Sequence, residues 1–227
     1  MTRPLPDNLR IVRHPRARRM KLRIDKADGA PVLVLPPRAS QRAGEAFVRD
    51  HLDWIAERQA ARPVQQTFAN GVAFPFGDGM LTVAHRPDQR LGVRRSGTLL
   101  LVSGESGHID RRVTDWLKQE ARRLLGGEAR ACAARIGARV ARVRIADQKS
   151  RWGSCSTSGT LSFNWRLVLA PRHVLDFVVA HEVAHMREMN HGPAFHRLVA
   201  ELHPDPHRAD RWLRDRGATL RAWGAGI

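Results

Sequence analysis

His181, Glu182 and His185 stand in the order His-Glu-x-x-His, and His191 follows ten residues after His181. On a helix, side chains four apart lie one turn apart on one face, so His181 and His185 can share a single ion. Glu182 cannot reach the same coordination position comfortably, but it can reach a water bound there. That spacing gives it the part of general base in metal-assisted hydrolysis. Zinc is tetrahedral, and a catalytic site keeps its fourth position open to substrate. A third ligand therefore needs the chain to change direction. Asn190 tolerates the left-handed conformation that ends a helix, and Gly192-Pro193 prevents the helix from resuming, so His191 is expected to fold back onto the same metal.

The elements around this motif must make it helical and buried. Pro171 suits a helix start, where its missing N–H leaves no partner unsatisfied. Val174, Leu175, Val178, Val179 and Val183 form one apolar stripe, which Phe177, Ala180 and Ala184 extend. A helix this apolar is buried, and two histidines with a carboxylate beside it would be costly there without a ligand. The other histidines carry weaker signals. His173 reads as a helix-start residue. His196 falls on a following helix with Phe195 and Leu198, in a core or surface role, and no spacing ties His203 or His207 to the metal. Glu188 shares the histidine face, as a solvated last-turn residue, a ligand or a group behind the ligands.

The fold class expected is α+β: a β-rich N-terminal part (1–107), then a mainly helical catalytic domain (108–227) with a small antiparallel sheet. Met20 to Ile24 alternates apolar and basic residues as a half-buried strand does. Val32 to Leu35 is a second strand, and a helix capped by Ser40 should carry Phe47, Trp54 and Ile55 inward and end near Pro63. Two strand pairs follow, Gly71 to His85 with a turn at Gly77-Asp78-Gly79 and Leu91 to Val102 with a turn at Ser96-Gly97. Past a Ser103 to Gly107 linker, Asp110 is a candidate cap for a helix that Gly126-Gly127 should interrupt. Val140 to Ile145 reads as a strand, and Leu161 to Leu167 as its return after a turn at Thr157-Ser158-Gly159.

Charge is the unusual feature of the composition. Lys and Arg total 39 against 22 Asp and Glu, for a formal net charge of +17, and all but four of the basic residues are arginine. A field of this sign attracts anions, so weak, unspecific nucleic-acid or nucleotide binding is expected, although a GC-rich genome gives the same bias without function. Arg13, Arg16, Arg18, Arg19 and Arg23, and Arg142, Arg144, Arg151 and Arg166, are the candidates. Two cysteines, Cys132 and Cys155, make neither a disulfide framework nor a CxxC zinc site. The first residues lack an apolar signal region, and the apolar runs are far shorter than the roughly 20 residues a span needs. A cytoplasmic protein with no membrane partner is the expectation.

His181 to His185 with Asn190-His191-Gly-Pro-Ala-Phe195, preceded by Lys149-Ser-Arg-Trp-Gly-Ser-Cys-Ser156 and Asn164-Trp-Arg-Leu-Val-Leu-Ala-Pro171, closely resembles the YgjP-like metallopeptidase family. The resemblance extends to Arg16-Ala-Arg-Arg-Met20 and Trp54-Ile55, hence to nearly the whole chain. The His-Gly-Pro-x-Phe portion is also similar to Spartan and SprT-type metalloproteases. The resemblance implies a zincin-like domain with Zn2+ on His181, His185 and His191 and with Glu182 catalytic; His196 departs from it by standing where an aromatic is expected. The Arg151 to Cys155 segment is a marker without a derived role. It either ends a strand pair lining the cleft, with Leu161 to Trp165 as an exposed edge for strand addition by a peptide, or places Trp152 and Trp165 in the core with Gly153 as a bulge. Cys155 as a fourth, inhibitory ligand is a further option.

These readings lead to a zinc-dependent hydrolase acting on peptide or protein substrates, with its substrate-binding residues unassigned. A nucleoside-triphosphate pyrophosphatase is the rival enzyme, and suits the arginine excess, but no Gly-rich phosphate loop is visible and such enzymes bind magnesium through carboxylates. A DNA-associated protein with a structural zinc is the third reading. Such a site would use four protein ligands and leave Glu182 without a part.

Overall fold

The computed structural model describes residues 3–25, 28–60 and 64–224. The chain forms two compact units, Met1–Pro63 and Val64–Ile227. Its α+β character follows from ten strands and six α-helices among the described residues.

In the first unit, β1 (Arg10–Arg13), β2 (Lys21–Ile24) and β3 (Pro31–Leu35) form a sheet in the order β1-β3-β2, with β1 parallel and β2 antiparallel to β3. Lys21 and Arg23 face outward, as the alternation requires. Ser40 caps α1 (Gln41–Asp50) by accepting the Ala43 N–H, and α2 (Leu52–Ala60) follows after a break at His51, so the expected single helix is two. The expected end near Pro63 lies outside the described residues. Leu33, Leu35, Val48, Leu52 and Ile55 make the core.

The second unit begins well before the expected boundary at 107. β4 (Ala73–Phe76), β5 (Gly79–His85), β6 (Val93–Ser96) and β7 (Leu99–Val102) pair in the order β4-β5-β7-β6. Phe74, Leu81, Val83, Leu100 and Val102 from this sheet share one hydrophobic cluster with the helices that follow, so these strands belong to the second unit and not to a β-rich domain before it.

Helix α3 (Ile109–Arg135) runs 27 residues without interruption at Gly126-Gly127. Val113, Leu117, Ala121, Leu125, Ala129 and Ala133, at a strict four-residue spacing, are all buried. Their combined burial outweighs the roughly 1 kcal/mol that each glycine costs a helix. Asp110 is not the cap; it sits in the first turn, and its carboxylate accepts the Phe68 N–H at 2.7 Å.

β8 (Arg142–Ala146), β9 (Gly153–Cys155) and β10 (Thr160–Asn164) form the sheet nearest the histidines. β10 lies in the middle, antiparallel to β9 and parallel to β8, so this small sheet is mixed. The return strand stops at Asn164, whose side chain caps a 3-10 turn (Trp165–Leu169) by accepting the Arg166 N–H. Helices α4 (Arg172–Ala184), α5 (Pro193–Leu202) and α6 (Pro206–Arg221) complete the unit. α4 is buried almost all round, as its composition requires. Among the described residues no helix is long and apolar enough to cross a membrane.

Candidate metal centre

His181 lies in the last turn of α4, and His185 is its C-cap, still in helical conformation (φ −63°, ψ −16°), so the two rings keep their one-turn relation. The chain then leaves the helix through a turn in which the Arg187 and Glu188 N–H groups both donate to the Ala184 carbonyl. Asn190 is not left-handed, since no non-glycine residue among those described has a positive φ. The reversal comes from this turn and from the Gly192 N–H donating to the Asn190 carbonyl at 2.8 Å. Pro193 opens α5 from its first turn, where a missing N–H costs nothing.

His181, His185 and His191 each bring a ring nitrogen to one place, the three atoms lying within 4.8 Å of one another. The Nε2 atoms of His181 and His191 are 3.2 Å apart. Two nitrogens on one tetrahedral zinc stand about 3.3 Å apart, given Zn–N bonds of about 2.0–2.1 Å. Hydrogen bonding sets the His185 tautomer: Nδ1–H donates to the Glu188 carbonyl at 3.0 Å, which leaves Nε2 with a free lone pair. Burial and the neighbouring histidine rings lower the His181 pKa to about 4, and burial lowers that of His185. Both rings are therefore neutral near pH 7, the state a metal ligand requires. An all-imidazole donor set suits zinc and other transition metals better than magnesium or calcium. The residues present fit a zinc ion.

Phe195, from the first turns of α5, is fully buried beneath the triad. It stacks on His185 (centroids 4.5 Å, 30°) and meets His181 and His191 edge-on at 4.9 and 4.7 Å. This floor restricts all three rings; in the sequence Phe195 stands out by its place in the His-Gly-Pro-x-Phe motif and on the apolar face of the following helix, though not as a floor. His191 is exposed, which keeps the site open to solvent.

Glu182 packs against β9. It is 6% exposed, and burial raises its pKa to about 7, with Arg151 opposing the rise. A Cβ built on Gly153 would lie 2.5 Å from Glu182 Cγ and Oε1, so only glycine lets the strand approach this closely. Gly153 sits in regular antiparallel register with Phe163 and is not a bulge. Leu161 to Trp165 is not an exposed edge, because Leu161, Phe163 and Trp165 are fully buried and β10 is paired on both sides. The free edge beside Glu182 belongs to β9 instead.

Other candidates stand apart from the three histidines. Cys155 is outside the group of possible ligands, and burial, with Glu182 nearby, raises its thiol pKa. Glu188 contributes its main-chain carbonyl to His185 and no ligand atom. His196 is exposed on α5. His203 is buried, accepting the Asp205 N–H and donating to the His173 carbonyl, a structural part. Arg166 is unavailable to any anion, being 4% exposed, paired with Asp147 and donating to the Trp223 and Gly224 carbonyls.

No curated protein and no solved structure matches the chain. A family model does, over residues 18–216, and its description is YgjP-like, metallopeptidase domain. A match of that extent carries with it a metal-dependent peptidase activity in general, and with it a protein or peptide substrate. The three converging imidazoles and the buried carboxylate beside them lie inside the matched region, and the chain belongs to the YgjP-like metallopeptidase family.

Proposed function

We propose that this chain is a zinc-dependent peptidase in which His181, His185 and His191 hold the metal and Glu182 is the general base. The carrying observation is the convergence of three imidazoles, one residue away from a buried carboxylate that packs against Gly153 of the edge strand β9. Bound zinc lowers the pKa of a coordinated water and polarises the scissile carbonyl. Glu182 takes a proton at its carboxylate and returns it to the leaving amine. A pKa near 7 matches that task, because proton transfer is most effective when the group titrates near the working pH.

The edge of β9 favours a peptide over a nucleotide. The Asn164 N–H donates to the Trp152 carbonyl and the Ser156 N–H to the Thr160 carbonyl. In an antiparallel ladder the alternate residues, Gly153 and Cys155, then turn their N–H and C=O groups outward. An extended peptide can add there as a strand and lie past Glu182. The all-histidine donor set offers nothing to a magnesium–triphosphate complex.

Zinc-loaded protein assayed against parallel peptide and nucleoside-triphosphate panels, with Glu182→Gln as the control, tests the proposal. Peptide cleavage that is lost in the variant is expected. Triphosphate hydrolysis without peptide cleavage overturns it.

A further inference from the structure

The Lys149 to Ser156 stretch has no ligand and no acid or base of its own in the mechanism, yet it forms the wall against Glu182. Two residues later in the chain hold it. Asn164 donates its N–H to the Trp152 carbonyl and its Nδ2 to the Gln148 carbonyl, each at 2.8 Å. Arg221, at the end of α6, donates Nη1 to the same Gln148 carbonyl at 2.5 Å and Nη2 to the Arg151 carbonyl at 3.2 Å. Its guanidinium also lies over the Trp152 ring, 4.1 Å from the centroid. Gly217, one turn earlier on α6, comes so near that ring that a Cβ there would lie 3.1 Å from Trp152 Cζ2. Asp205 fixes the start of α6 by accepting the Arg208 N–H.

We propose that Arg221 is a positioning residue for proton transfer: it clamps residues 148–152 so that Gly153 holds the Glu182 side chain in place. The inference rests on Glu182 being the general base. Arg221 lies just beyond the family-matched residues 18–216, and it suits this part through shape more than charge. A planar guanidinium offers two parallel donors and a flat face for stacking at once, which a lysine ammonium cannot. Its contacts end at the residue before Gly153, and Gly153 touches Glu182 with no room for a methyl group between them. A shift of β9 is therefore passed directly to the carboxylate, and misplacement of a reacting group by about 1 Å costs on the order of 100-fold in rate.

The test compares zinc-loaded Arg221→Met, Arg221→Lys and Gly153→Ala with the wild type, each also in a Glu182→Gln background. Peptide cleavage, bound zinc and hydrogen exchange over residues 148–156 are measured. Arg221→Met is expected to keep its zinc, to exchange faster over 148–156 and to lose roughly 10- to 100-fold in kcat. Arg221→Lys should recover only part of that loss. Once Glu182 is already glutamine, Arg221→Met should lower the residual rate by less than about twofold, because it acts through a carboxylate no longer there. An equal loss in both backgrounds, loss of zinc, or an unchanged kcat overturns the positioning role. Should Arg221→Met fail to fold, Gly153→Ala decides: it removes none of the groups that Arg221 contacts and should show the same dependence on Glu182, and wild-type kcat in it overturns the proposal. A wild-type zinc protein that cleaves no peptide overturns the peptidase reading itself. Slow exchange at 148–156 without any Glu182-dependent rate effect overturns the positioning role alone.

Discussion

The two walls of the site are built in opposite ways. On one, His181, His185 and His191 come from a stretch of eleven residues, and a helix turn, a five-residue reversal and a proline-started helix bring their nitrogens together. On the other, Gly153 meets Glu182 because Asn164 and Arg221, the latter 70 residues beyond Arg151, hold the strand from behind. Local geometry makes the histidine wall, and long-range packing makes the wall against Glu182. Substitutions in the first should therefore act on metal binding, and those in the second on proton transfer with the metal still in place.

The largest effect belongs to the histidine wall. His191→Ala should lose stoichiometric zinc and bring hydrolysis down to background, because a two-histidine remnant binds zinc much more weakly than three. Metal analysis after gel filtration, with zinc titration of the apo-protein, decides it. Full occupancy at unchanged affinity would remove His191 from the site. Next comes Glu182→Gln, which keeps the volume but cannot accept a proton. It should keep one zinc per chain while losing on the order of 100- to 10,000-fold in kcat. Wild-type turnover in that variant ends the general-base assignment.

The same division explains what was legible in the sequence. The His-Glu-x-x-His spacing, the apolar composition of α4 and the Gly192-Pro193 start of α5 are all local signals, and they located the triad. Signals of the same kind failed where distant contacts decide. Gly126-Gly127 reads as a helix break, but a four-residue row of buried side chains carries α3 through it. Leu161 to Trp165 alternates like an edge strand, yet pairing on both sides puts β10 in the middle of its sheet. Asn190 reads as a left-handed cap, whereas the turn after His185 reverses the chain without one. Nothing local marks Arg221, since its part depends on which surface α6 happens to meet.

A smaller effect separates the walls by pH in the metal-free protein. The Glu182 carboxyl titrates at about 7 when folded against an ordinary value of 4.5. The folded state thus holds a proton that the unfolded chain has released, and this group lowers stability as pH rises from about 4.5 through about 7. His181, lowered to about 4, acts in the opposite sense: the unfolded chain takes up the proton first, so stability falls as pH drops below 6.5. Glu182→Gln removes the first contribution and leaves the second. Denaturant unfolding of the two apo-proteins should coincide near pH 4 and diverge to about 3 kcal/mol in favour of the variant above pH 7. Parallel curves across that range would mean that the carboxylate is not desolvated by β9.

The smallest effect sets one glycine against another. Gly153 is required because a methyl group there would overlap Glu182. Gly127 lies in α3, exposed, and a Cβ built on it meets nothing within 4 Å. Its backbone is helical and needs no conformation that alanine lacks. Glycine in a helix interior costs about 0.8–1.0 kcal/mol relative to alanine, largely through the freedom it gives the unfolded chain. Gly127→Ala should therefore raise stability by about that amount and leave zinc affinity and kcat unchanged, whereas Gly153→Ala should lower both kcat and stability, the latter by about 1–3 kcal/mol through overpacking against Glu182. The adjacent Gly126 is the less suitable comparison, because it is buried and its carbonyl accepts Arg130 Nη1 at 2.9 Å. Denaturant midpoints at constant m-value, measured beside initial cleavage rates, distinguish the two kinds of glycine. Destabilisation by Gly127→Ala would show that α3 is kinked in solution at the position where its sequence alone suggests a break.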